Sequence, residues 1–476
     1  MKFDKTTFKR LFSVNFCKNL RLELARMSFT GLDDGGKGDI YPLLGKTERW
    51  GWEMEERLLC SLTPYMNVEL ASKEGPCGVA IRVGTLKTEL FIHKRRGEVM
   101  LALGDEALAL PSDSGAIISL QICPGFIDVY SRLVGANSFC SQMTLLHSFS
   151  LPGLKEIMCE EALSRATVAI LTPDIGKMYY ASAFMDCGVA QADPRPVKYE
   201  NGEVLINEGK VYFTFSARAE HGTYQGVMSW VPGTMQFSLV GCLFYAVGDG
   251  LLGDDVAASL KLDRRAGLWR IYYASFSHGH VIASAVMAGD VRFGVNIVDA
   301  RLMPSPPSDM DGEVADLLPY GKEGDEDPDL LYDEERGKWL LTFCRLFADG
   351  GKKKYRYLLF ESDRADGDFA FVASAESGEE TGGNMVRIDG ELLFICGNAF
   401  DKRSDYRVYR LPDLKHYENM RFDYDDGGFR GWGTVIPVCR GSRTRYFHLT
   451  FDRVKHSSYN WSYGNLYCFE AMKDGE

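Results

Sequence analysis

The chain has 476 residues, 45% of them apolar, and 54 Lys and Arg against 66 Asp and Glu give it a formal net charge of −12. This length exceeds one ordinary hydrophobic core, so we expect two or three domains, or one large repeat array with an extra domain. The acidic balance argues against nucleic acid as a partner, because it would repel a phosphate backbone.

The sequence has no stretch of about eighteen apolar residues, the length that a membrane span needs. Its N-terminal residues also lack the apolar core and cleavage site of a secretory signal. The twelve cysteines are scattered without a Cys-x-x-Cys pair, which is typical of buried thiols in a reducing compartment. We therefore expect a cytoplasmic protein, or a periplasmic or secreted one if a signal has been removed. The sequence does not indicate the oligomeric state.

Residues 1–150 contain short runs of alternating polarity, such as GVAIRVG, LKTELFIHK and GEVMLALG, with turns about every ten residues. This pattern predicts an N-terminal β-sandwich of a concanavalin-like or sugar-binding type. In the following LPGLKEIMCEEALSRA segment, apolar residues fall at helical spacing behind a Pro-Gly pair. We therefore predict a linking helix over 151–165 and a domain boundary near Ser150.

From residue 166 to 476, apolar hairpins of one design recur, most of them behind a polar turn that ends in glycine. Repeats of about fifty residues, each worth about four strands, are typical of a β-propeller. The first two hairpins lie closer together than one blade, which favours five blades, one of them formed from both chain ends, over six. The hairpins are KMYYASAF (177–184), KVYFTFSAR (210–218), LWRIYYASF (268–276), KWLLTFCRLF (338–347), ELLFICGN (391–398) and RYFHLTFD (445–452).

Two motifs carry a family resemblance over about residues 165–470. The run DPDLLYD (327–333), followed by GKWL (337–340), resembles the five-bladed propeller glycosidases, which include glycoside hydrolase family 43 and the invertase-like enzymes. The next repeat, EETGGNM (379–385), looks like the segment that holds their acidic Glu. A sandwich before the propeller, together with RGWG (430–433), is similar to a smaller branch that acts on plant pectin side chains.

The resemblance implies roles for acidic residues at the starts of the innermost strands. Asp327 matches the auxiliary aspartate that tunes the acid and orients substrate, and Glu380 matches the general acid. The base would come from an earlier blade, either Asp255 with its neighbour Asp254, or Asp193. We favour the Asp254–Asp255 pair, because adjacent carboxylates raise the pKa of one of them.

The family pattern is not fully matched, and each acid also has a plain structural reading. Glu380 is followed by Thr-Gly instead of the Gly-Pro common in the family, and Glu379 competes with it for the acid role. Aspartates before proline or in glycine loops are often turn formers that cap backbone N–H groups. Glu379 and Glu380 also fit a solvated loop pair.

Other side chains near the strand starts could hold a sugar. Arginine forks can bind a sugar carboxylate, and a tryptophan between glycines can offer its ring as a platform. The predicted substrate-binding residues are Asp193, Glu326, Arg218, His278, Asn384, Arg430, Trp432 and Arg453.

The sequence therefore predicts an all-β protein in which a β-sandwich precedes a five-bladed propeller. Its predicted function is hydrolysis of an oligosaccharide or a polysaccharide side chain by two carboxylates in the propeller funnel. A non-catalytic carbohydrate-binding propeller is the alternative, and a protein-interaction scaffold is a third. We expect a carbohydrate partner, no membrane span, no metal among the site residues and no required cofactor, with room for a structural cation in the propeller channel.

Overall fold

The computed structural model shows a chain that is nearly all β, as predicted. It describes residues 1–28, 43–49, 51–72, 75–111, 117–132, 143–174, 178–310, 324–349, 352–376, 380–398, 406–423, 433–441, 443–458 and 462–473. Helical turns within these ranges are short: two 3-10 segments, Phe3–Lys5 and Pro152–Met158, and one α-helix, α1 (Glu160–Leu163). The last two lie where the sequence predicts a linking helix.

The first part of the chain forms fourteen strands. They are β1 (Thr6–Val14), β2 (Arg21–Ser28), β3 (Leu43–Arg49), β4 (Trp52–Ser61), β5 (Asn67–Ser72), β6 (Gly75–Val83), β7 (Leu86–Arg95), β8 (Glu98–Leu103), β9 (Glu106–Pro111), β10 (Ile117–Cys123), β11 (Phe126–Arg132), β12 (Thr144–Ser150), β13 (Thr167–Thr172) and β14 (Met178–Asp186).

Thirteen of these strands form two sheets that share one apolar core. A six-stranded sheet has the order β12-β11-β10-β5-β14-β2, and a seven-stranded sheet has the order β3-β4-β13-β6-β7-β8-β9. Val68 and Leu120 of the first sheet and Ile81 and Leu90 of the second are fully buried in the same cluster. Alternation along each strand places the apolar side chains on this inner side.

The sheet pairing corrects the predicted domain boundary. β14, which the sequence analysis assigns to the first propeller hairpin, pairs with β5 and β2, and β13 pairs with β4 and β6. The first two sheets therefore extend to Asp186, well beyond Ser150. β1 belongs to neither of these two sheets and pairs instead with a strand near the other end of the chain.

The next eleven strands form one long sheet with two four-stranded halves. One half has the order β15-β18-β19-β20, and the parallel pairing of β20 with β25 continues it into β25-β24-β23-β22. The strands are β15 (Ala190–Pro196), β16 (Lys198–Tyr199), β17 (Ile206–Asn207), β18 (Lys210–Arg218), β19 (Thr223–Trp230), β20 (Phe237–Ala246), β21 (Leu252–Gly253), β22 (Ser259–Asp263), β23 (Leu268–Ser275), β24 (Val281–Met287) and β25 (Gly294–Leu302).

Three smaller sheets complete the chain, in the orders β26-β27-β28-β29, β30-β31-β32-β33 and β34-β1-β37-β36-β35. Their strands are β26 (Asp325–Asp333), β27 (Lys338–Asp349), β28 (Lys352–Ser362), β29 (Ala370–Ser374), β30 (Glu380–Ile388), β31 (Glu391–Asn398), β32 (Tyr406–Arg410), β33 (Lys415–Asn419), β34 (Arg421–Phe422), β35 (Thr434–Arg440), β36 (Arg443–Phe451) and β37 (Leu466–Lys473).

Five strands at matching positions form a closed ring. The remaining five predicted hairpins contain β18, β23, β27, β31 and β36, and each of these pairs antiparallel with the strand before it, namely β15, β22, β26, β30 and β35. Cα atoms of β15 lie within 8 Å of β22, and the same holds for β22 and β26, β26 and β30, β30 and β35, and β35 and β15. The starts of these strands therefore surround a common axis.

Candidate active site at the strand ring

Two ring strands carry the same local distortion at an aspartate. Asp193 of β15 and Asp327 of β26 have φ angles of 53° and 55°, and each precedes a proline. The pairing register shifts around each of them, so both strands have a bulge there. Aspartate tolerates this left-handed conformation better than most residues. The bulge changes the direction in which the side chain leaves the strand.

Asp327 is buried, with 3% of its surface exposed, and it connects three ring strands. Its Oδ2 accepts a hydrogen bond of 2.9 Å from the backbone N–H of Gly382 on β30, and its Oδ1 lies 3.2 Å from the Arg195 guanidinium of β15. Burial raises the pKa of Asp327 to about 6, while the positive charge of Arg195 opposes that rise. The carboxyl group therefore titrates near neutrality.

The Arg195 side chain reaches from β15 to Asp327 on β26, although these two strands are not neighbours in the ring and β22 lies between them. Its Nη1 donates to the Pro328 carbonyl oxygen at 2.8 Å, and only 2% of the residue is exposed. Two residues earlier, Asp193 accepts hydrogen bonds from Ser216 and, at 3.0 Å, from Arg218. The negative charge of Asp193 also acts to raise the pKa of Asp327, so the two carboxylates are electrostatic neighbours.

Glu380 opens β30 and is 3% exposed. It accepts hydrogen bonds from Arg407 at 3.0 Å and from the Tyr409 hydroxyl. Because Gly382 binds Asp327, Glu380 lies two residues from the contact that joins β30 to β26. Asp193, Asp327 and Glu380 thus come from three ring strands and share one end of the ring.

The favoured base, Asp255, has a different environment. It accepts hydrogen bonds from Ser275 at 2.9 Å and from the side chain and backbone of Ser277, and none of its hydrogen bonds reaches Asp327 or Glu380. Burial raises the pKa of Asp255. Burial also raises the pKa of Asp254 to about 6, with a contribution from the Asp255 charge, although the Tyr65 hydroxyl donates to Asp254.

The predicted substrate-binding residues are distributed unevenly around the ring. Arg218 binds Asp193, and Glu326 accepts hydrogen bonds from His280 at 2.9 Å and from Tyr355 at 3.0 Å. His278 lies between Ser275 and Asp249.

Asn384 is buried and donates to the carbonyl oxygen of Gly382, whereas Arg453 is half-buried directly after β36. Glu379, Arg430 and Trp432 lie outside the described residues.

Sequence reasoning missed a buried charge cluster beside these acids. Asp329, two residues after Asp327, accepts hydrogen bonds from Lys198 at 2.8 Å and from Lys261 at 2.6 Å, and the Met385 N–H donates to it at 2.7 Å. Burial alone would raise the pKa of Asp329, but the two lysines hold it below its usual range. Burial also lowers the pKa of Lys261 well below its usual value, and Lys198 adds to the effect. A lysine inside the apolar run SLKLD was the available signal.

Among the described residues, basic groups lie beside the ring aspartates: Arg195 beside Asp327, and Lys198 and Lys261 beside Asp329. No group of three His, Cys, Asp or Glu side chains within the described ranges is arranged to hold a metal. Across those same ranges, no helix is long and apolar enough to cross a membrane.

No protein-family model and no curated protein matches this sequence. Among solved structures, the chain is similar to an exo-β-1,3-galactanase of Clostridium thermocellum (11% identity, 57% of this chain and 59% of that chain, TM-score 0.40). It is also similar to the catalytic domain of a family 62 α-L-arabinofuranosidase of Coprinopsis cinerea (14%, 60% and 91%, TM-score 0.39) and to a thermostable family 43 glycoside hydrolase (14%, 60% and 90%, TM-score 0.38). The chain spans about three fifths of the galactanase. These similar structures include glycoside hydrolases of families 43 and 62.

Proposed function

We propose that this protein is a glycoside hydrolase whose acidic site lies at one end of the strand ring. The observation that carries the proposal is the placement of Asp193, Asp327 and Glu380. They lie on three different ring strands, and direct contacts through Arg195 and Gly382 join those strands. Hydrolysis of a glycosidic bond needs two carboxyl groups from different parts of the fold near one substrate.

In this proposal Glu380 is the general acid and Asp193 is the carboxylate that activates water or attacks the anomeric carbon. Asp193 replaces Asp255 as the favoured base, because Asp193 acts electrostatically on Asp327 whereas Asp255 is bound by serines of its own sheet. Asp327 orients the substrate and tunes the charge of the other two. With a pKa of about 6, the Asp327 carboxyl group can gain or lose a proton near neutral pH in response to the charges of its neighbours.

The same proposal interprets the architecture. The five sheet units around the ring are five propeller blades, the last of which contains β1 from the start of the chain. The six- and seven-stranded sheets form the β-sandwich. The substrate is an oligosaccharide or a polysaccharide side chain, and the proposed chemistry needs no cofactor.

Replacing Asp327 by Asn tests the proposal. The amide keeps an acceptor for the Gly382 N–H but cannot carry charge, so we expect kcat/KM to fall at least about 100-fold. Because the change also removes the charged partner of the buried Arg195, we expect the melting temperature to fall, and activity is compared at a temperature where both proteins are folded. The assay is hydrolysis of a panel of plant and microbial oligosaccharides and aryl glycosides, with products separated by chromatography.

Asp333→Asn is the matched control. Asp333 is also buried in β26, but at the opposite end of the strand, where its carboxylate accepts from the Glu335 N–H. This variant should keep full activity. Hydrolysis that survives in the Asp327→Asn, Glu380→Gln and Asp193→Asn variants would show that these carboxylates are not the catalytic groups.

A non-catalytic sugar-binding role is the second candidate, and one observation favours it. Each acid has an arginine nitrogen within 3.2 Å: Arg218 at Asp193, Arg195 at Asp327 and Arg407 at Glu380. Such pairs stabilise carboxylates that only accept hydrogen bonds from hydroxyl groups. Binding of an oligosaccharide, measured by calorimetry, without release of products on long incubation would establish this role instead.

A further inference from the structure

The six-stranded sheet has an outer face that is both polar and buried. Opposite residues of paired strands share a face, so Glu69 of β5, Ser119 of β10 and Tyr130 of β11 lie in one row, and Asn67 lies two residues from Glu69. Their exposed fractions are 1% for Glu69, 0% for Ser119 and Asn67, and 2% for Tyr130. Burying this many polar groups is costly unless each of them has a partner.

At both ends of this face, charged side chains pair with one another. At one end, Glu69 accepts hydrogen bonds from Arg21 at 2.8 and 3.0 Å, from Arg132 at 3.0 and 3.1 Å, and from Tyr180 at 2.7 Å.

At the other end, Lys18 binds Gln121 at 2.9 Å and Asp186 at 2.6 Å, and His221 binds Asp128 at 2.9 Å. The charged groups at both ends therefore have partners of opposite charge within the protein, although two arginines share Glu69.

The middle of the face is not paired. Both side-chain atoms of Asn67, the Ser119 hydroxyl and the Tyr130 hydroxyl are buried and have no hydrogen-bond partner in the described part of the chain. We call these three residues the polar band. An unpaired buried polar atom costs about 1–3 kcal/mol, so the band favours any molecule that can supply the missing bonds.

We propose that the polar band is a binding site for a neutral, hydroxyl-rich ligand, of the class of a terminal sugar residue of an oligosaccharide. An amide and two hydroxyl groups both donate and accept, which matches sugar hydroxyls, and none of the three band residues carries a charge that would favour an ion. The Arg132 and Arg21 side chains beside Glu69 are 22% and 25% exposed, so solvent reaches this end of the face. The site is separate from the ring carboxylates.

The test is calorimetric titration of the full-length Asp327→Asn chain with neutral oligosaccharides of galactose, arabinose, xylose and glucose, one at a time. We expect one class to bind. Adding Tyr130→Phe or Asn67→Leu should weaken that binding about tenfold or more, because each change removes hydrogen bonds to the ligand. The melting temperature should stay equal or rise, since each change also removes an unpaired polar group.

Tyr180→Phe is the matched control, because it removes a hydroxyl from the same face that already donates to Glu69. It should lower the melting temperature and leave the affinity within about twofold. If no oligosaccharide binds at millimolar concentrations, or if binding is unchanged by Tyr130→Phe and Asn67→Leu, the proposal is wrong and ordered water alone fills the band.

The experiment also distinguishes this site from the proposed hydrolytic one. Loss of hydrolysis in ring variants with retained, band-dependent binding would support both assignments. Band-dependent binding in a protein without hydrolytic activity would keep the sheet site and remove the enzyme proposal.

Discussion

Arg195 and Asp327 form the contact on which the candidate site depends. The arginine is the largest influence opposing the rise in the pKa of Asp327 that burial causes. A cation this close lowers the pKa of an aspartate by roughly one to three units. Replacing Arg195 should therefore change the pKa of Asp327 while Asp193 and Glu380 both remain in the protein.

We predict that Arg195→Met raises the pKa of Asp327 further above its value of about 6. Carbon NMR of the aspartate carboxyls across a pH titration measures the shift directly. Arg407→Met, which removes the partner of Glu380, should leave the Asp327 titration nearly in place. An unchanged Asp327 titration in Arg195→Met would show that the arginine does not act on this carboxyl.

A pH dependence of stability follows from the same group. The pKa of Asp327 in the folded state, about 6, lies above its usual value of 3.8, so the folded chain binds more protons between roughly pH 4 and 6. The contribution of Asp327 to the free energy of unfolding should therefore fall as pH rises through that window. Urea unfolding should show that the free energy of unfolding falls less between pH 4 and pH 7 in Asp327→Asn than in the native sequence. An equal fall in the two proteins would contradict this prediction.

At this scale the sequence predicted the site only in part. The sequence singled out Asp193 and Asp327, each before a proline, as strand-start acids, but it did not predict the bulges in which both lie. The sequence analysis also favoured Asp255 over Asp193 as the base, an order that the proposal reverses. That ranking depends on whether the neighbours are Arg218 or a pair of serines, and these come from other strands.

Among the elements, β16, β22, β26 and β30 are joined by the buried cluster around Asp329. Lys198 donates both to Asp329 and, at 2.6 Å, to the Met385 carbonyl, whereas the hydrogen bond of Lys261 goes to Asp329. Two protonated lysines with one carboxylate would leave an excess positive charge in a buried site. Burial therefore disfavours the charged form of Lys261 and lowers its pKa.

We predict that Lys198→Met costs about 3–5 kcal/mol of unfolding free energy, because it breaks a buried ion pair, while Lys261→Met costs much less. Because burial lowers the pKa of Lys261 in the folded state, the unfolded chain binds the extra proton below about pH 10.5, and stability of the native sequence should rise with pH in that window. Urea unfolding at pH 7 and 9 should show a smaller rise in Lys261→Met. Equal losses of unfolding free energy in the two variants would contradict this difference between Lys198 and Lys261.

β14 shows why element assignment was easier than partner assignment. Its sequence reads as an apolar strand, which it is, and its Tyr-Tyr pair matches the hairpins of the later repeats. Its partners are β5 and β2, which precede it by more than one hundred positions. Alternation within a strand indicates which side is buried but does not identify the neighbouring strand.

For the whole molecule, the first strand completes the last sheet. β1 lies between β34 and β37, and Phe8 is fully buried in a cluster with Val386, Tyr406 and Phe469. The sequence analysis predicted a unit built from both chain ends because the first two hairpins lie closer together than one blade. The sequence analysis could not predict that β1 lies outside the first two sheets, since the alternation of polarity in β1 fits either position.

We predict that Phe8→Ala lowers the free energy of unfolding by about 3–5 kcal/mol, because it leaves a cavity between β1 and its neighbours. Leu11→Ala, on the same strand with 39% of its surface exposed, should change it by less than about 0.5 kcal/mol. Thermal or urea unfolding of both variants measures the difference. Similar values for the two would show that β1 is not packed as described.

The position of β1 also constrains how the protein is made. A ribosome synthesises β1 long before its two neighbours, β34 and β37. Until those strands emerge, β1 lacks both of its partners in the sheet. The five-stranded sheet that contains β1 should therefore form later than the sheets whose strands are close together in the sequence.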